Sequence, residues 1–329
     1  MKKLKIGQIG TSETTHSAHI MGALKNLPDI FEVVGVADVD RHDVPLNPVF
    51  ADVPKMTADE ILNYPALDAI VIDCDEVLLT KYAIMAAEKG LPIQLEKPGS
   101  ESDADYDRLI DIVSKNGTLL HTSYMYRYNP AVKYAMEKVK SGAIGDVFCI
   151  EAQMNIYHNP AFRNRYKNFK GGIMFYLGCH MVDVIYQFLG EPEEIVPLNT
   201  SIGTEGVQSE DFGLAIFKYK NGRSIAKVSA AEIGGAPYRR SIIICGTKGT
   251  LEIRPIEYPV GNGFDRTEIK ETYLGDKNIL HTTFAPYGRY TEMLQSFAAM
   301  VRREKENPYS YESERTLHKL ILKACGHIF

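Results

Sequence analysis

Three side chains that can exchange protons or bind hydroxyl groups lie at regular spacing in the segment "GGIMFYLGCHMVDVIYQF". Tyr176 and His180 are four residues apart and Asp183 is three residues further on, so a helix would carry all three on one face. A single histidine on a helix is more often a satisfied structural residue than a reactive one. Three reactive residue types in one stripe, preceded by two glycines, favour a binding or catalytic site.

A second candidate lies in "QLEKPGSE", where Glu96, Lys97 and Pro98 follow a short apolar run. Charged residues before a proline usually form a solvated turn. If the apolar run is a buried strand of a parallel sheet, Lys97 lies at its carboxyl end, where ligands bind in such sheets. A lysine at that place can polarise a hydroxyl group or donate a proton.

The elements that must position these residues alternate along the first part of the chain. Short apolar runs and helical patterns follow one another from Leu4 to about residue 122, which predicts an α/β domain with a doubly wound parallel sheet. The apolar runs are "LKIGQIG", "FEVVGVADVD", "LDAIVIDCD", "LPIQLEKP" and "TLLHTSY". We assign this domain to residues 1–125.

The first of these runs ends in a glycine turn that opens a helix, in "IGQIGTSETTHSAHI". Such a turn brings backbone N–H groups and a positive helix terminus to a pyrophosphate. Gly10 is well placed, but Ser12 and Thr15 replace the next two glycines of the usual fingerprint, so a purely structural turn is an equal alternative. If a dinucleotide binds, we expect it to contact Gly10, Thr11 and Ser12.

Asp38 strengthens the dinucleotide interpretation. It ends the second apolar run 28 residues after Gly10, where a carboxylate can bond the adenosine ribose hydroxyls and repel a 2′-phosphate. The alternative for Asp38 is a turn or N-cap aspartate. The turn and the carboxylate together predict a nicotinamide dinucleotide and favour NAD over NADP, although Arg41 is close.

The second part of the chain has a different pattern, with two predicted hairpins among its strands. The clearer hairpin turns at Lys220, Asn221 and Gly222, and the other turns around Thr247 to Gly249. We therefore predict a second domain, residues 126–329, with a mostly antiparallel sheet and helices on one face. Its other predicted elements are a helix over 130–140, a strand over 147–156, a helix over 172–189 and helices near 288–304 and 311–325.

Composition excludes several classes of function. The 37 Lys and Arg residues balance 42 Asp and Glu residues, and no long basic run suggests binding to nucleic acid or to an anionic membrane. No apolar run approaches the roughly 18 residues that span a bilayer, and the start of the chain does not resemble a signal peptide. The five cysteines are scattered and lack CxxC spacing, which argues against a disulfide framework and a metal site. We expect a cytoplasmic protein with a small-molecule substrate.

The chain resembles the Gfo/Idh/MocA family of NAD(P)-dependent oxidoreductases over nearly its whole length. The stretches that carry the resemblance are "LDAIVIDCDEVLLTKYAIMAAEKGLPIQLEKP", "YRYNPAV", "GCHMVD", "EDFG" and "CGTKGTLEI", in the family's order. The resemblance implies an N-terminal Rossmann domain and a C-terminal α+β domain with an open, mostly antiparallel sheet that can form homodimers or homotetramers. It also implies that Glu96 and Lys97 lie at the cofactor and that His180 is a catalytic acid/base.

Two departures from the family pattern affect the expected site. Tyr176 stands where the family usually has an Asp four residues before the His, and Cys74, Asp75, Glu76 and Leu79 align with the usual Thr-Pro-Asn and following His. The nucleotide-facing loop that contains Cys74 and Asp75 is therefore rebuilt. A tyrosine can still donate a proton to an alkoxide, so we expect Tyr176 to take part in proton transfer.

Our leading hypothesis is an NAD-dependent oxidoreductase that acts on a sugar, cyclitol or related polyol. His180 or Tyr176 would handle the proton and Lys97 would stabilise the alkoxide. The residues expected to bind substrate hydroxyl groups are Tyr126, Arg127 and Asp183.

Two alternatives remain open from the sequence. Related scaffolds use a transient oxidation to eliminate a group, as NAD-dependent glycosidases do, and they retain their NAD without net turnover. The altered glycine turn and the missing Asp also suit a non-catalytic binding or regulatory protein on the same fold. The segment 155–169, "NIYHNPAFRNRYKNF", mixes aromatic and basic residues, which suits a polyhydroxylated or anionic ligand and equally a solvated surface.

Overall fold

The computed structural model of the protein describes residues 2–40 and 45–327 and divides the chain into two compact units. The first unit comprises Met1–Tyr124 and Tyr290–His318, and the second comprises Met125–Arg289 and Lys319–Phe329. The domains predicted from the sequence differ from this division in residues 290–318, which the structure groups with the first unit. Arg41, which follows Asp38 closely in the sequence, lies outside the described residues.

The first unit is built on a five-stranded sheet in the order β2-β1-β3-β4-β5, in which every neighbouring pair is parallel. The predicted doubly wound parallel sheet is confirmed. The strands are β1 (Leu4–Ile9), β2 (Phe31–Ala37), β3 (Ala69–Ile72), β4 (Ile93–Leu95) and β5 (Leu120–Thr122). The helices are α1 (Ser17–Lys25), α2 (Ala58–Leu62), α3 (Leu79–Glu88) and α4 (Asp103–Asn116), and a 3-10 turn covers Pro48–Phe50.

The order of the strands determines where this unit can hold a ligand. The sheet extends in opposite directions from the neighbouring strands β1 and β3, and ligands bind beyond the carboxyl ends of strands at such a point. All four residues of β3 are buried, as expected of a strand covered on both faces. The turns that follow β1, β3 and β4 therefore form the edge at which chemistry is expected.

The second unit contains an eight-stranded sheet in the order β15-β14-β11-β10-β6-β9-β8-β7 and a small sheet of β12, β13 and β16. Neighbours in the large sheet are antiparallel except for the parallel pair β6 and β9, which confirms a mostly antiparallel sheet. The strands are β6 (Val147–Met154), β7 (Glu194–Pro197), β8 (Phe212–Tyr219), β9 (Gly222–Ser229), β10 (Arg240–Gly246), β11 (Gly249–Ile253), β12 (Tyr258–Gly261), β13 (Phe264–Arg266), β14 (Glu268–Tyr273), β15 (Leu280–Thr283) and β16 (Tyr287–Gly288).

The remaining helices are α5 (Pro130–Lys140), α6 (Pro160–Arg163), α7 (Cys179–Leu189), α8 (Thr291–Val301) and α9 (Tyr311–Ala324). The helix predicted over 130–140 is confirmed, and Asn129 caps it by accepting the backbone N–H groups of Ala131 and Val132. Both predicted hairpins are also confirmed, since β8 pairs with β9 and β10 pairs with β11. Within residues 2–40 and 45–327, no helix is long and apolar enough to cross a membrane.

The helix predicted over 172–189 does not form as one regular helix. Met174–Gly178 is a π-helical turn, and the regular α-helix α7 begins at Cys179. A π turn is wider than an α turn, because its hydrogen bonds reach five residues back instead of four. The prediction of one regular helix is therefore wrong, whereas the common face of Tyr176, His180 and Asp183 stays a prediction.

Candidate active site

The turn after β1 packs so closely on the backbone that follows β3 that it requires a glycine. Gly10 has a φ of +112°, and a Cβ atom on it would lie 2.1 Å from the carbonyl oxygen of Asp73, so a larger residue would force a backbone shift. Among the described residues no side chain caps the N-terminus of α1, and its first turn contains no acidic residue. The turn thus ends at a positive helix terminus that is suited to a phosphate group.

Two carboxylates that follow β2 hold this turn. Thr11 donates its hydroxyl to Asp38 Oδ1 at 2.7 Å and its backbone N–H to Asp40 Oδ2 at 2.6 Å. Asp40 Oδ1 also accepts the backbone N–H of Asp75 at 2.6 Å, so Asp40 links the turns after β1 and β3. Burial raises the pKa of Asp40 to about 6, although the two N–H bonds lower it. The charges of Asp75 and Asp38 raise this pKa by a smaller amount. Asp38 itself is exposed at the turn.

The residues after β3 that were predicted to contact the cofactor have different surroundings. Ser12 donates its hydroxyl to Asp75 Oδ1 at 2.5 Å, which brings two of the predicted residues together. The Cys74 side chain lies in the hydrophobic core, and burial together with nearby carboxylates raises the pKa of its thiol well above the ordinary value. Cofactor contacts of Cys74 and Asp75 stay predictions.

The turn after β4 contains a buried charge network. Lys97 Nζ lies 3.5 Å from Glu96 Oε1, and His16 Nδ1 lies 2.8 Å from the same oxygen. Glu96 and Lys97 are each only 1% exposed, so the interpretation of this stretch as a solvated turn is wrong. Burial would raise the pKa of Glu96, but the charges of His16 and Lys97 and their hydrogen bonds hold that pKa below its ordinary value.

Two further buried carboxyl groups lie near this network. Burial and the charge of Glu96 raise the pKa of Asp73 well above its ordinary value. Burial raises the pKa of Glu76 to about 7, although the charge of Lys97 opposes this shift. Glu76 also lines a surface groove of about 640 Å³ between α3 and α4. The edge thus holds ionisable groups whose charge can change near neutral pH.

The sequence reasoning missed His16, Asp40 and the charge of Glu76 as parts of this edge. A usable signal was present, because polar or acidic residues follow each of β1, β2, β3 and β4 and the ends of parallel strands meet at one edge. The sequence did not indicate which of those side chains turn toward Lys97. That choice depends on the conformations of the turns.

In the second unit, His180 lies in the first turn of α7 and is 1% exposed. Its ring packs edge-on against the ring of Tyr126, with 5.5 Å between ring centroids and 68° between ring planes. Tyr126 is buried, and burial together with the charge of Glu257 raises the pKa of its hydroxyl well above the ordinary value. The structure therefore brings together two residues that were predicted as catalytic and substrate-binding.

Arg127 and Asp183, both predicted to bind substrate, bind each other. Arg127 donates from Nη2 to Asp183 Oδ1 at 2.8 Å and from Nε to Oδ1 and Oδ2 at 3.0 and 3.2 Å. Gln187 adds a further bond to Asp183 Oδ1 at 3.1 Å. Both side chains of the pair are at most 2% exposed. This bidentate pair joins the segment before α5 to α7 and fixes the helix that carries His180.

Tyr176 lies in an aromatic cluster formed largely by the segment 155–169. Its ring centroid is 5.4 Å from that of Tyr166, and the rings of His158, Phe162 and Phe169 lie within 6.4 Å. His158 Nδ1 lies 2.5 Å from the Tyr166 hydroxyl, and burial lowers the pKa of His158 to about 4. Tyr176 is half-buried, so its surroundings are aromatic while part of its surface stays accessible.

Comparison with known proteins gives consistent matches for both sequence and fold. Residues 132–252 match the model of the GFO/IDH/MocA C-terminal domain. D-xylose 1-dehydrogenase (NADP(+)) 2 of Haloferax volcanii is 26% identical over 247 residues, which cover 74% of this chain and 72% of that protein. Trans-1,2-dihydrobenzene-1,2-diol dehydrogenase of Xenopus tropicalis is 26% identical over 235 residues, or 70% of each protein.

Among solved structures, the fold is similar to that of a 3-ketoreductase from Actinomadura kijaniata, determined in complex with NADP and TDP-benzene. The TM-score is 0.79, with 17% sequence identity, over 97% of this chain and 96% of that chain. At this identity the similarity establishes the shared fold. Together with the sequence matches, it confirms the resemblance that was inferred from the motifs.

Proposed function

We propose that the chain, whose residues 132–252 match the GFO/IDH/MocA C-terminal domain, is an oxidoreductase of this family that transfers a hydride between a nicotinamide dinucleotide and a carbinol carbon of a sugar, cyclitol or related polyol. The similarity to a xylose dehydrogenase and a dihydrodiol dehydrogenase supports a substrate with neighbouring hydroxyl groups.

The observation that carries this proposal is the buried Glu96–Lys97 pair after β4. A lysine that is 1% exposed loses most of its hydration, so a surface-loop function does not account for its position. It lies at the edge where a doubly wound sheet binds its ligand. A cation held there would stabilise negative charge that develops on a substrate oxygen.

The residues around the β1 turn fit a dinucleotide. The close turn at Gly10 and the uncapped N-terminus of α1 suit a pyrophosphate, and the exposed Asp38 carboxylate suits ribose hydroxyl groups. When bound, the cofactor supplies the nicotinamide ring that accepts or gives the hydride. Thr11 and Ser12 would place their hydroxyl groups beside it, and Asp38 would orient the adenosine ribose.

We assign the cofactor preference to NAD. Thr11 fixes Asp38 by a 2.7 Å hydrogen bond, and Asp40 adds a second carboxylate to the same turn. A 2′-phosphate at this place would be repelled by both charges. The relatives named above include a dehydrogenase and a ketoreductase associated with NADP, so the preference requires a direct measurement.

For the proton we assign His180 or Lys97 as acid or base, with Tyr176 as a further donor, and Lys97 also polarises the hydroxyl. The ring of Tyr126 packs edge-on against His180 and would fix the orientation of its imidazole. Arg127 and Asp183 would act mainly by holding α7 in place, because each satisfies the other. Their contacts with substrate would then be secondary.

The aromatic cluster around Tyr176 suits the apolar face of a sugar or cyclitol ring. Phe162, Phe169 and Tyr176 are half-buried, so each presents part of its ring. Ring C–H groups of a polyol pack on such surfaces while its hydroxyl groups bind polar side chains. We therefore assign the segment 155–169 to substrate selection.

The large sheet of the second unit would form a homodimer or homotetramer. On β6 the side chains alternate, with Ile150, Ala152 and Met154 buried and Glu151 exposed between them, so one face of the sheet is open. Multi-angle light scattering of the purified protein tests this assignment.

The proposed function is tested by a panel of sugars, cyclitols and diols offered with NAD and with NADP, while reduced nicotinamide is followed by its absorbance. We expect reduction of NAD with at least one polyol. A bound cofactor that is never exchanged during product formation would favour a transient-oxidation mechanism instead. If neither cofactor raises the melting temperature, the dehydrogenase proposal fails, since a ligand that binds the native state must stabilise it.

A further inference from the structure

The Lys97 amine is shielded from solvent and meets a specific set of neighbours. The Lys97 side chain is 2% exposed and that of Glu96 is fully buried, whereas the His16 side chain is 17% exposed. Glu96 Oε1 lies 3.5 Å from Lys97 Nζ and 2.8 Å from His16 Nδ1. One carboxylate oxygen therefore joins the buried amine to an imidazole that reaches solvent.

Glu96 differs in charge from the other buried carboxyl groups around it. Asp73 and Glu76 have raised pKa values, with burial as the main cause, so both bind a proton more readily than an ordinary carboxyl group. Glu96 is held ionised by His16 and Lys97, whose charges outweigh its burial. A carboxylate between two nitrogen atoms can accept a proton from one and give a proton to the other.

We propose that Lys97, Glu96 and His16 form a proton path from the Lys97 amine to solvent, with His16 as a positioning residue that acts through Glu96. This inference rests on the proposed function, because it requires Lys97 to gain and lose a proton during turnover. It gives a role to His16, which does not belong to the glycine fingerprint of the turn.

The path balances when a carbonyl group is reduced. A hydride from the bound dinucleotide would add to the carbonyl carbon with both electrons, the C=O π bond breaks, and the oxygen takes a proton from the Lys97 ammonium. The charged His16 then gives its Nδ1 proton to Glu96 Oε1, and Glu96 gives that proton to Lys97 Nζ. His16 regains a proton from water, so a single proton enters and no electrons move along the path. Oxidation of a carbinol runs the same steps in reverse.

The test compares His16→Ala with His19→Gln, a matched control. His19 is exposed in the first turn of α1, which His16 directly precedes, and its ring centroid lies 6.4 Å from that of His16. His16→Ala should lower kcat about tenfold or more, and added imidazole should restore part of the rate by taking the vacated place. His19→Gln should keep the wild-type rate. A wild-type rate and pH profile for His16→Ala would overturn the path, as would a loss that imidazole does not restore.

A second readout does not depend on turnover. Infrared spectra of the cofactor-free protein would follow protonation of the Glu96 carboxyl group, with its band assigned by Glu96→Gln. Removal of the His16 charge should raise the pKa of Glu96, whereas His19→Gln should not change it. An unchanged Glu96 pKa in His16→Ala would overturn the path whether or not the protein turns over a polyol. A raised pKa with no turnover of any polyol would support the His16–Glu96 link and count against the proposed function.

Discussion

The turn after β4 and the start of α7 both bury charged side chains, but they balance the charge differently. Arg127 and Asp183 form a bidentate pair in which each cancels the charge of the other. Around Lys97, Glu96 of the β4 turn and Asp73 and Glu76 after β3 are all buried, and their pKa values shift in opposite directions. A pair such as Arg127 and Asp183, in which the two charges satisfy each other, stabilises the structure. A group in which carboxyl groups outnumber cations can change its protonation during a reaction.

The charged residues of the two regions are therefore expected to have different roles: Arg127 and Asp183 stabilise the fold, and the residues around Lys97 take part in the reaction. Removal of Arg127 or Asp183 should mainly lower the stability of the fold, because the remaining charge is then buried without its partner. Changes at the β4 turn should mainly affect pH dependence and turnover.

Arg127→Ala should lower the free energy of unfolding by about 3–5 kcal/mol, the cost typical of a broken buried pair. Chemical denaturation measures the loss. Arg108→Ala is the control, because Arg108 forms an exposed pair with Glu88 at 3.3 Å, which contributes at most about 1 kcal/mol. The double variant Arg127→Met, Asp183→Leu should recover much of the stability. A loss below about 1 kcal/mol in Arg127→Ala would remove the distinction between the two regions.

Glu76→Gln should stabilise the protein at pH 8, because the folded state holds the ionised Glu76 at a cost. Its pKa rises from 4.5 to about 7, so the folded state binds the proton more tightly, and the wild type loses stability as pH rises through this window. The difference corresponds to about 3 kcal/mol, and it should vanish below about pH 4.5. Melting temperatures measured from pH 4 to pH 8 check the result.

Glu96→Gln should have the opposite sign at neutral pH. The pKa of Glu96 is lowered in the folded state, so its ionised form stabilises the protein above the unfolded pKa and that contribution is lost as pH falls through the folded pKa. The control for both substitutions is Glu88→Gln on the exposed side of α3, which should change little. Equal effects of Glu76→Gln and Glu96→Gln would contradict the electrostatic description of this turn.

Asp38→Ser should shift the cofactor preference toward NADP by about tenfold, or about 1.4 kcal/mol, because it removes the charge that faces the 2′-phosphate. Titration of the wild type and the variant with both cofactors measures the shift. Asp59→Ser, at an exposed position in α2, should leave the preference unchanged. A wild type that already prefers NADP tenfold would overturn the assignment of NAD.

The sequence predicted the parallel sheet, both hairpins and the helix over 130–140, since these depend on local patterns. Alternating apolar residues around Lys220 to Gly222 specify a hairpin, and Asn129 before Pro130 specifies a helix start. The π turn at Met174–Gly178 was missed because residue spacing does not distinguish it from an α turn.

The sequence indicated which strand ends contribute residues to the site, but it did not indicate which side chains pair with one another there. Lys97 and Asp38 follow apolar strands, which is visible in the sequence. The bond from Asp40 to the backbone of Thr11 and Asp75, and the pairing of His16 with Glu96, depend on how three separate turns meet. Arg127 and Asp183 are 56 residues apart, so their pairing could not be read from spacing either.

If the buried Lys97 is the reactive cation of the proposed polyol dehydrogenase, kcat of Lys97→Ala on an identified substrate tests this role most directly. Lys81→Ala, at an exposed lysine of α3, is the control. We expect Lys97→Ala to fold normally and to lose about a hundredfold or more in kcat, while Lys81→Ala keeps the wild-type rate. A folded Lys97→Ala protein with near-normal kcat would show that Lys97 is not the reactive cation.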